Sequence, residues 1–161
     1  MAFPDGFPSL TADRRRPHPT APPQPSCLRA LCVTEAVAAA VPELRRFARR
    51  AARQWAVPED ASDTLALVSG ELVTNAVLHS GSADVTQLIV FDGVAVSVEV
   101  ADSGRWLVRD ANRSTTEDAG AEFGRGLDLV RACTSRFTLH PSAVGTRAVA
   151  RISIREPGAR Q

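Results

Sequence analysis

The chain has 161 residues, of which 44% are hydrophobic and 23% charged, and its formal net charge is +1 at neutral pH. These values are typical of one globular domain with one sizeable core, and the near-zero charge argues against direct binding to nucleic acid. All 19 basic residues are arginine, which excludes chemistry that needs a P-loop lysine, a Schiff-base lysine or the strand lysine of eukaryotic-type kinases.

The two ends of the chain differ in composition from its middle. The first 26 residues contain seven of the 11 prolines and the run Arg14–Arg16, without any apolar period. We interpret residues 1–26 as a disordered arm, residues 27–155 as one folded domain and residues 156–161 as a tail. Because no signal-peptide pattern and no apolar run of ~20 residues is present, we expect a cytoplasmic protein with no membrane partner. The chain has three cysteines, Cys27, Cys32 and Cys133, and their spacing fits no metal site. We expect all three to be buried, reduced thiols.

A strand and two helices are predicted in the first half of the domain. The apolar segment Leu28–Val33 predicts the strand, and Thr34 is placed to cap the helix that follows it. Apolar residues at spacings of three and four predict an amphipathic helix over Glu43–Ala56, and a second helix is predicted over Glu59–His79. The outer face of the first helix is strongly basic, which indicates either a solvated surface or a docking surface for an acidic partner. Its arginines are Arg45, Arg46, Arg49, Arg50 and Arg53.

Four strands and one helix are predicted in the second half of the domain. The strands cover Val85–Phe91, Val94–Asp102, Phe137–Pro141 and Thr146–Ile154, and the helix covers Gly126–Ser135. A hairpin turn at Asp92-Gly93 joins the first two of these strands. The order of elements predicts an α+β two-layer sandwich, with helices on one face of a mixed, mostly antiparallel sheet.

A polar pair interrupts the apolar side of the second helix. At about 100° per residue, Glu71 and Asn75 lie roughly 60–100° to one side of the core-facing Leu72. Leu67 and Leu78 lie just beyond them on that side, so the pair falls within an apolar arc. A carboxylate in such a place loses hydration and needs a partner. A functional pair is therefore favoured over an ordinary pair on the helix surface.

An aspartate ends the buried face of the hairpin's second strand. Valines alternate along this strand from Val94, and Asp102 has the same parity, with Ser103-Gly104 turning the chain directly after it. The Asp102 carboxylate could accept a hydrogen bond from the amino group of a buried purine. It could equally cap its own turn.

Two further segments have a weaker pattern. The residues Gly124, Arg125, Gly126 and Leu127 open the last helix, where free N–H groups and an arginine suit a phosphate group. A flexible loop with a cap is the alternative. Thr146 begins the last strand after Gly145, and it is the polar end of a buried face, as Asp102 is.

In order and spacing, these four segments resemble the Bergerat (histidine-kinase-like ATPase) fold over roughly residues 28–154. Within that fold, the short chain is similar to the anti-sigma-factor serine/threonine kinases, the RsbW and SpoIIAB-like family. The segment Glu71–His79 is very similar to the N box of that family. Two features depart from the family: Trp106 stands where a second glycine is often found, and the proline-rich arm is not shared.

The resemblance implies ATP and Mg²⁺ as cofactors and a role for each candidate residue. Asn75 would hold Mg²⁺ against the phosphates, and Glu71 would act as the base toward the attacking hydroxyl. Asp102 would accept a hydrogen bond from the adenine amino group, and Gly104 would leave space for the base. Thr146 would support Asp102 or a water molecule beside it.

The remaining assignments concern the lid and a histidine. The segment 124–127 would form the lid over the phosphates. His79 matches the N-box histidine of the family, although a satisfied histidine near the core is at least as good an interpretation. Trp106 could line the nucleotide pocket or pack against the lid.

Three functions are open on this basis. The first is an anti-sigma factor that phosphorylates a STAS-domain anti-anti-sigma protein and binds a sigma factor; the resemblance to that family also implies a homodimer. The second is a regulator of the same fold that senses ATP and binds a partner without transferring phosphate. A histidine-kinase fragment is disfavoured, because the only histidine upstream of the domain is His18, in the proline-rich arm.

Overall fold

The computed structural model describes residues 27–104 and 122–154. The elements are β1 (Leu28–Glu35), α1 (Ala40–Gln54), α2 (Glu59–His79), β2 (Asp84–Phe91), β3 (Ala95–Asp102), α3 (Glu122–Cys133), β4 (Arg136–Ser142) and β5 (Gly145–Ser153). The predicted arm, the predicted tail and Trp106 lie outside the described residues.

The strands form one five-stranded sheet in the order β1-β2-β3-β5-β4. Every pair of neighbours in the described part is antiparallel, so this sheet is antiparallel throughout rather than mixed. The helices cover one face of it, which confirms the α+β two-layer sandwich. The hairpin prediction is also confirmed, since Gly93 has a positive φ of 89° and the Asp92 carboxylate accepts the N–H groups of Val94 and Ala95.

One hydrophobic core fills the space between the helices and the inner face of the sheet. Alternating residues of β3 and β5 supply one side of it, and the buried sides of α1 and α2 supply the other. Alternation puts every second side chain on the same face, which is why the valines of β3 and the alanines of β5 are buried together. The fully buried residues of these strands are Val96, Val98, Val100, Ala148 and Ala150.

Several details differ from the sequence-based predictions. Helix α1 begins at Ala40, and no side chain caps it; Thr34 lies inside β1 instead. Pro42 is tolerated because it falls in the first helical turn, where its missing N–H has no intrahelical partner. Val94 belongs to the hairpin turn and is 67% exposed. The cysteines are not buried: Cys27 is exposed and the other two are half-buried.

A buried polar bridge links the two long helices to the sheet. The Ser69 hydroxyl of α2 donates to Gln87 Oε1 of β2 over 2.6 Å. Gln87 Nε2 in turn donates to the carbonyl of Leu44 in α1 over 3.2 Å. Both polar side chains are fully buried, so the bridge fixes the rotation of α2 about its axis relative to the sheet.

Among the described residues, no helix is both long and apolar enough to cross a bilayer.

We predict that Ser69→Ala lowers the free energy of unfolding by about 1–3 kcal/mol, because it leaves the buried Gln87 oxygen without a donor. Urea unfolding measures this change. The matched control is Ser62→Ala in the same helix, where we expect a change within about 0.5 kcal/mol. Replacing both partners in Ser69→Ala/Gln87→Leu should recover most of the loss. Equal midpoints for Ser69→Ala and Ser62→Ala would show that the bridge does not stabilise the fold.

Candidate functional site

Helix α2 presents Glu71 and Asn75 on the side that faces α3. Both residues are half-buried. The amide nitrogen of Asn75 is fully buried and has no hydrogen-bond partner among the described residues. Leu78, which was expected to extend the apolar arc around the pair, is 66% exposed. The pair therefore lies at the border of the core.

Gly126 brings α3 directly against this pair. A methyl group added at Gly126 would lie 2.7 Å from Glu71 Oε2 and 3.9 Å from Asn75 Nδ2. The first distance is too short for a real contact, so a side chain at this position would shift the Glu71 carboxylate, whereas the second is an ordinary van der Waals distance. Gly126 thus allows α3 to approach the Glu71 carboxylate closely.

The prediction that the last helix begins at Gly126 is wrong. Helix α3 begins at Glu122, so all four of the predicted lid residues are helical. Since only the first four N–H groups of a helix lack internal partners, the Gly126 N–H lies within the regular part of α3. Arg125 is exposed and Leu127 packs against the core. The backbone of Gly124 is part of α3.

A second polar cluster lies where β3 ends. Asp102 is opposite Thr146 in the ladder between β3 and β5. The Gly104 N–H donates to Asp102 Oδ1 over 2.9 Å, so the aspartate does cap its own turn. The Thr146 hydroxyl, on a side chain that is only 2% exposed, donates to the Gly104 carbonyl over 3.4 Å. Asp102 and Thr146 each lie at the end of a buried face, as the alternation of side chains along their strands predicted.

Two close backbone contacts hold this cluster together, and one of them joins it to the end of α2. A Cβ atom at Gly104 would lie only 1.8 Å from the Ser80 carbonyl oxygen, directly after α2. A Cβ atom at Gly145, where φ is 152°, would lie 2.1 Å from the Asp102 carbonyl oxygen. The end of α2 and the end of β3 therefore meet at one edge of the domain. Ser80 carries no pattern in the sequence that would have singled it out.

His79 is the last residue of α2 and lies at the same edge. Its side chain is half-buried. Desolvation lowers the pKa of His79 below its ordinary value, although a hydrogen bond with the Leu78 backbone acts in the opposite direction. The lowered pKa favours the uncharged imidazole at this edge.

The donor set at this edge suits a phosphate-bound magnesium ion better than a cage made of protein alone. No group of three or more histidine, cysteine, aspartate or glutamate side chains in the described ranges could hold a metal ion. Mg²⁺ commonly takes one or two protein oxygens and completes its octahedron with phosphate oxygens and water. The Asn75 side chain has one such oxygen, and its orphaned N–H₂ is suited to an anionic oxygen.

Comparisons with known proteins agree with this architecture. The family model of the histidine kinase-like ATPase domain matches residues 34–152. The RsbU and RsbW domains of Rv1364c from Mycobacterium tuberculosis have a similar fold, with a TM-score of 0.61 and 20% identity. That alignment covers 81% of this chain and 33% of the other, so the chain spans about a third of the solved structure.

A second solved structure is less similar. It is the histidine kinase domain of a blue-light activated histidine kinase from Erythrobacter litoralis, with a TM-score of 0.44, 19% identity, and coverage of 69% of this chain and 61% of the other. No curated protein matches the sequence. The match to the family model extends over most of the chain and includes every element from α1 to β4 and all but the last residue of β5. The chain belongs to the histidine kinase-like ATPase domain family.

Proposed function

We propose that this protein is a cytoplasmic serine/threonine kinase of the anti-sigma-factor type. It transfers the γ-phosphoryl group of ATP to a STAS-domain anti-anti-sigma protein, and it sequesters a sigma factor when that protein is absent. The observation that carries the proposal is the position of the Glu71 carboxylate beside the orphaned amide of Asn75, under the helix that contains Gly126. A regulator that senses ATP without transferring phosphate would need Asn75 but would not need a base at Glu71.

The phosphate end of the proposed site consists of Asn75, Glu71 and the first turns of α3. The Asn75 side chain binds the phosphate end of the nucleotide, because its buried N–H₂ gains an acceptor there. Mg²⁺, when bound, neutralises phosphate charge. Glu71 accepts the proton of the substrate hydroxyl as the oxygen of that hydroxyl bonds to the γ-phosphorus. The bond to the β,γ-bridging oxygen breaks, and ADP leaves. Arg125, exposed on α3, is available to a phosphate oxygen.

The adenine end of the proposed site is the cluster at the end of β3. Asp102 Oδ1 is already an acceptor for the Gly104 N–H, which fixes the carboxylate plane. A carboxylate oxygen has more than one lone pair, so a fixed Asp102 can also accept from an exocyclic amino group. Thr146 holds the Gly104 carbonyl and with it the turn on which the base rests. The contacts between Gly104 and Ser80 set the distance from this end to Asn75.

We predict that Glu71→Gln slows phosphoryl transfer to a co-encoded STAS protein by about 10²–10⁴-fold, because the amide cannot accept the hydroxyl proton. Transfer is measured with γ-labelled ATP, and nucleotide binding is measured by calorimetry. Binding should be retained, since glutamine has the same shape. The matched control is Glu59→Gln at the exposed first turn of the same helix, which should transfer at the wild-type rate.

Two outcomes would count against the proposal in different ways. Transfer by Glu71→Gln at the wild-type rate would remove Glu71 from its role as base. Tight Mg-ATP binding by the wild-type protein, with no label on any STAS partner, would favour the regulator that senses ATP without transferring phosphate.

We further predict that Gly126→Ala weakens Mg-ATP binding by about tenfold, or about 1.4 kcal/mol, without lowering the melting temperature. Alanine favours a helix over glycine by up to about 1 kcal/mol. Its methyl group, however, would lie against the Glu71 carboxylate and displace it. Calorimetry and thermal unfolding measure the two effects.

Gly70→Ala is the matched control for this substitution. Gly70 lies next to Glu71 in sequence and is also helical, but its Cβ would meet the flexible side chain of Arg45, 2.9 Å away on α1. It should bind nucleotide as the wild-type protein does. Equal affinities for Gly126→Ala and Gly70→Ala would contradict the placement of the phosphates beside α3.

A further inference from the structure

Three serine side chains meet where α2 and β3 end, beside the adenine end of the proposed site. The hydroxyl oxygens of Ser82 and Ser103 are 2.8 Å apart, although the two residues are separated by 21 positions in the sequence. The Ser82 N–H donates to the Ser80 hydroxyl over 3.0 Å, across Gly81, whose φ of 66° turns the chain directly after α2. The family resemblance assigns no role to any of the three. They connect the end of α2 with the end of β3 through side chains as well as through backbone contacts.

The Ser82 hydroxyl takes the place of a ladder hydrogen bond between β2 and β3. The last pair of this ladder is Val85 with Asp102, so the next position brings Asp84 opposite Ser103. There, the Ser103 N–H donates to Ser82 Oγ over 3.1 Å, and the Ser82 hydroxyl donates to the Asp84 carbonyl over 2.7 Å. One hydroxyl oxygen is therefore inserted between an N–H group and a C=O group that would bond directly in a regular antiparallel ladder. This hydroxyl sets how far the end of β3 lies from β2.

The hydrogen-bonding capacity of the Ser82 hydroxyl is fully used. A serine hydroxyl has one hydrogen to donate and two lone pairs that accept. Its hydrogen is directed at the Asp84 carbonyl, so the Ser103 hydroxyl is the donor in the contact between the two serines. Ser82 Oγ then accepts from both the N–H and the O–H of Ser103. Removal of this one oxygen would break every bond between the Ser82 side chain and the ends of β2 and β3.

These bonds fix the peptide group that is attached to Asp102. The Ser103 N–H belongs to the peptide bond between Asp102 and Ser103, so Ser82 holds the main chain directly after the Asp102 Cα atom. The next N–H along the chain, that of Gly104, donates to Asp102 Oδ1, and the Gly104 carbonyl accepts from Thr146. The turn that carries the Asp102 carboxylate is thus bonded at successive backbone groups. Ser82 fixes this turn from the side of α2, and Thr146 fixes it from the side of β5.

Fold stability alone does not account for this arrangement. The bonds that the Ser82 hydroxyl makes with Asp84 and Ser103 lie at the surface. Water can replace either partner there, so these bonds contribute little to the free energy of folding. A hydrogen bond from a base to the Asp102 carboxylate is more sensitive, because hydrogen bonds weaken steeply as they depart from good alignment. A small displacement of the turn therefore affects recognition of the base more than it affects folding.

From these observations we infer that Ser82, with Ser103, is a positioning residue for base selection, because its hydroxyl holds the turn from which Asp102 accepts the adenine amino group. The inference rests on the adenine end of the proposed function. Ser82 acts through Asp102, and it sets how strongly the protein prefers a base that offers a hydrogen-bond donor there. Inosine triphosphate is a suitable probe, because its base has a carbonyl oxygen where adenine has the amino group.

Calorimetric titrations with magnesium and either ATP or inosine triphosphate test this role. We predict that Ser82→Ala weakens ATP binding about tenfold, which corresponds to the loss of about one hydrogen bond. The affinity for inosine triphosphate should change by no more than about twofold, because that base has no amino group for Asp102. The preference of the protein for ATP over inosine triphosphate should fall accordingly. Ser82→Thr keeps the hydroxyl and should restore the wild-type preference.

Two further variants complete the experiment. Ser103→Ala removes the contact between the hydroxyls but keeps the Ser103 N–H, so it should lower the preference for ATP by a smaller factor, about threefold. The matched control is Ser135→Ala. The Ser135 hydroxyl also donates to a backbone carbonyl at the surface, that of Arg151, which lies toward the other end of β5 from Thr146. This control should bind both nucleotides as the wild-type protein does, and thermal unfolding shows whether each variant is folded.

Failure of this inference is distinguishable from failure of the proposed function. A Ser82→Ala protein with the wild-type preference for ATP would overturn the inference alone. An equal loss of affinity for both nucleotides would also overturn it, because Ser82 would then support the site as a whole rather than the choice of base. Should Ser82→Ala not fold, an unchanged preference in Ser103→Ala has the same meaning. A wild-type protein that binds both nucleotides equally would remove base selection by Asp102 and the inference with it, whereas one that binds neither would contradict the proposed function itself.

Discussion

The buried amide of Asn75 is the constraint around which this domain is organised. A buried polar group without a partner costs about 1–3 kcal/mol, and in the described structure the Asn75 Nδ2 atom is in that state. The helix that carries it cannot rotate to expose it, because Ser69 is bonded to Gln87 on the opposite side of α2. A bound acceptor at this position would recover the cost. The stability of α2 and the affinity for a ligand are coupled in this way through one side chain.

The glycines place the other groups around this amide. Gly126 lets α3 approach Glu71 and Asn75, and Gly104 lets the end of β3 contact the Ser80 carbonyl at the end of α2. Each contact joins elements that are distant in sequence, and neither would tolerate a larger residue without a shift. The Gly104 contact is between backbone atoms, and it holds the end of β3 close to the end of α2.

Local pattern determined much of what could be predicted from the sequence. The bounds of α2 follow from Pro58 and the apolar stripe along the helix, and the buried faces of β3 and β5 follow from the alternation of buried and outward-facing side chains. The alternation of side chains along each strand was enough to predict Asp102 and Thr146 at the ends of these faces. The start of α3 was predicted four residues too late, because Gly124 and Gly126 are poor helix formers. Packing of Leu127 and Val130 against the core outweighs that preference. The contacts of Gly104 with Ser80 and of Gly126 with Glu71 join distant segments, and no local pattern encodes them.

The most direct measurement of the central claim is a nuclear magnetic resonance titration of the labelled protein with ADP and magnesium. The account predicts that the side-chain amide resonances of Asn75 shift with the backbone resonances of Gly104, Gly126 and Thr146, along one saturating curve. A single curve is expected because all four report on one bound nucleotide. Shifts confined to another surface, such as the depression lined by Asp60 and Cys133, would contradict it. Unchanged Asn75 amide signals at saturation would contradict it equally.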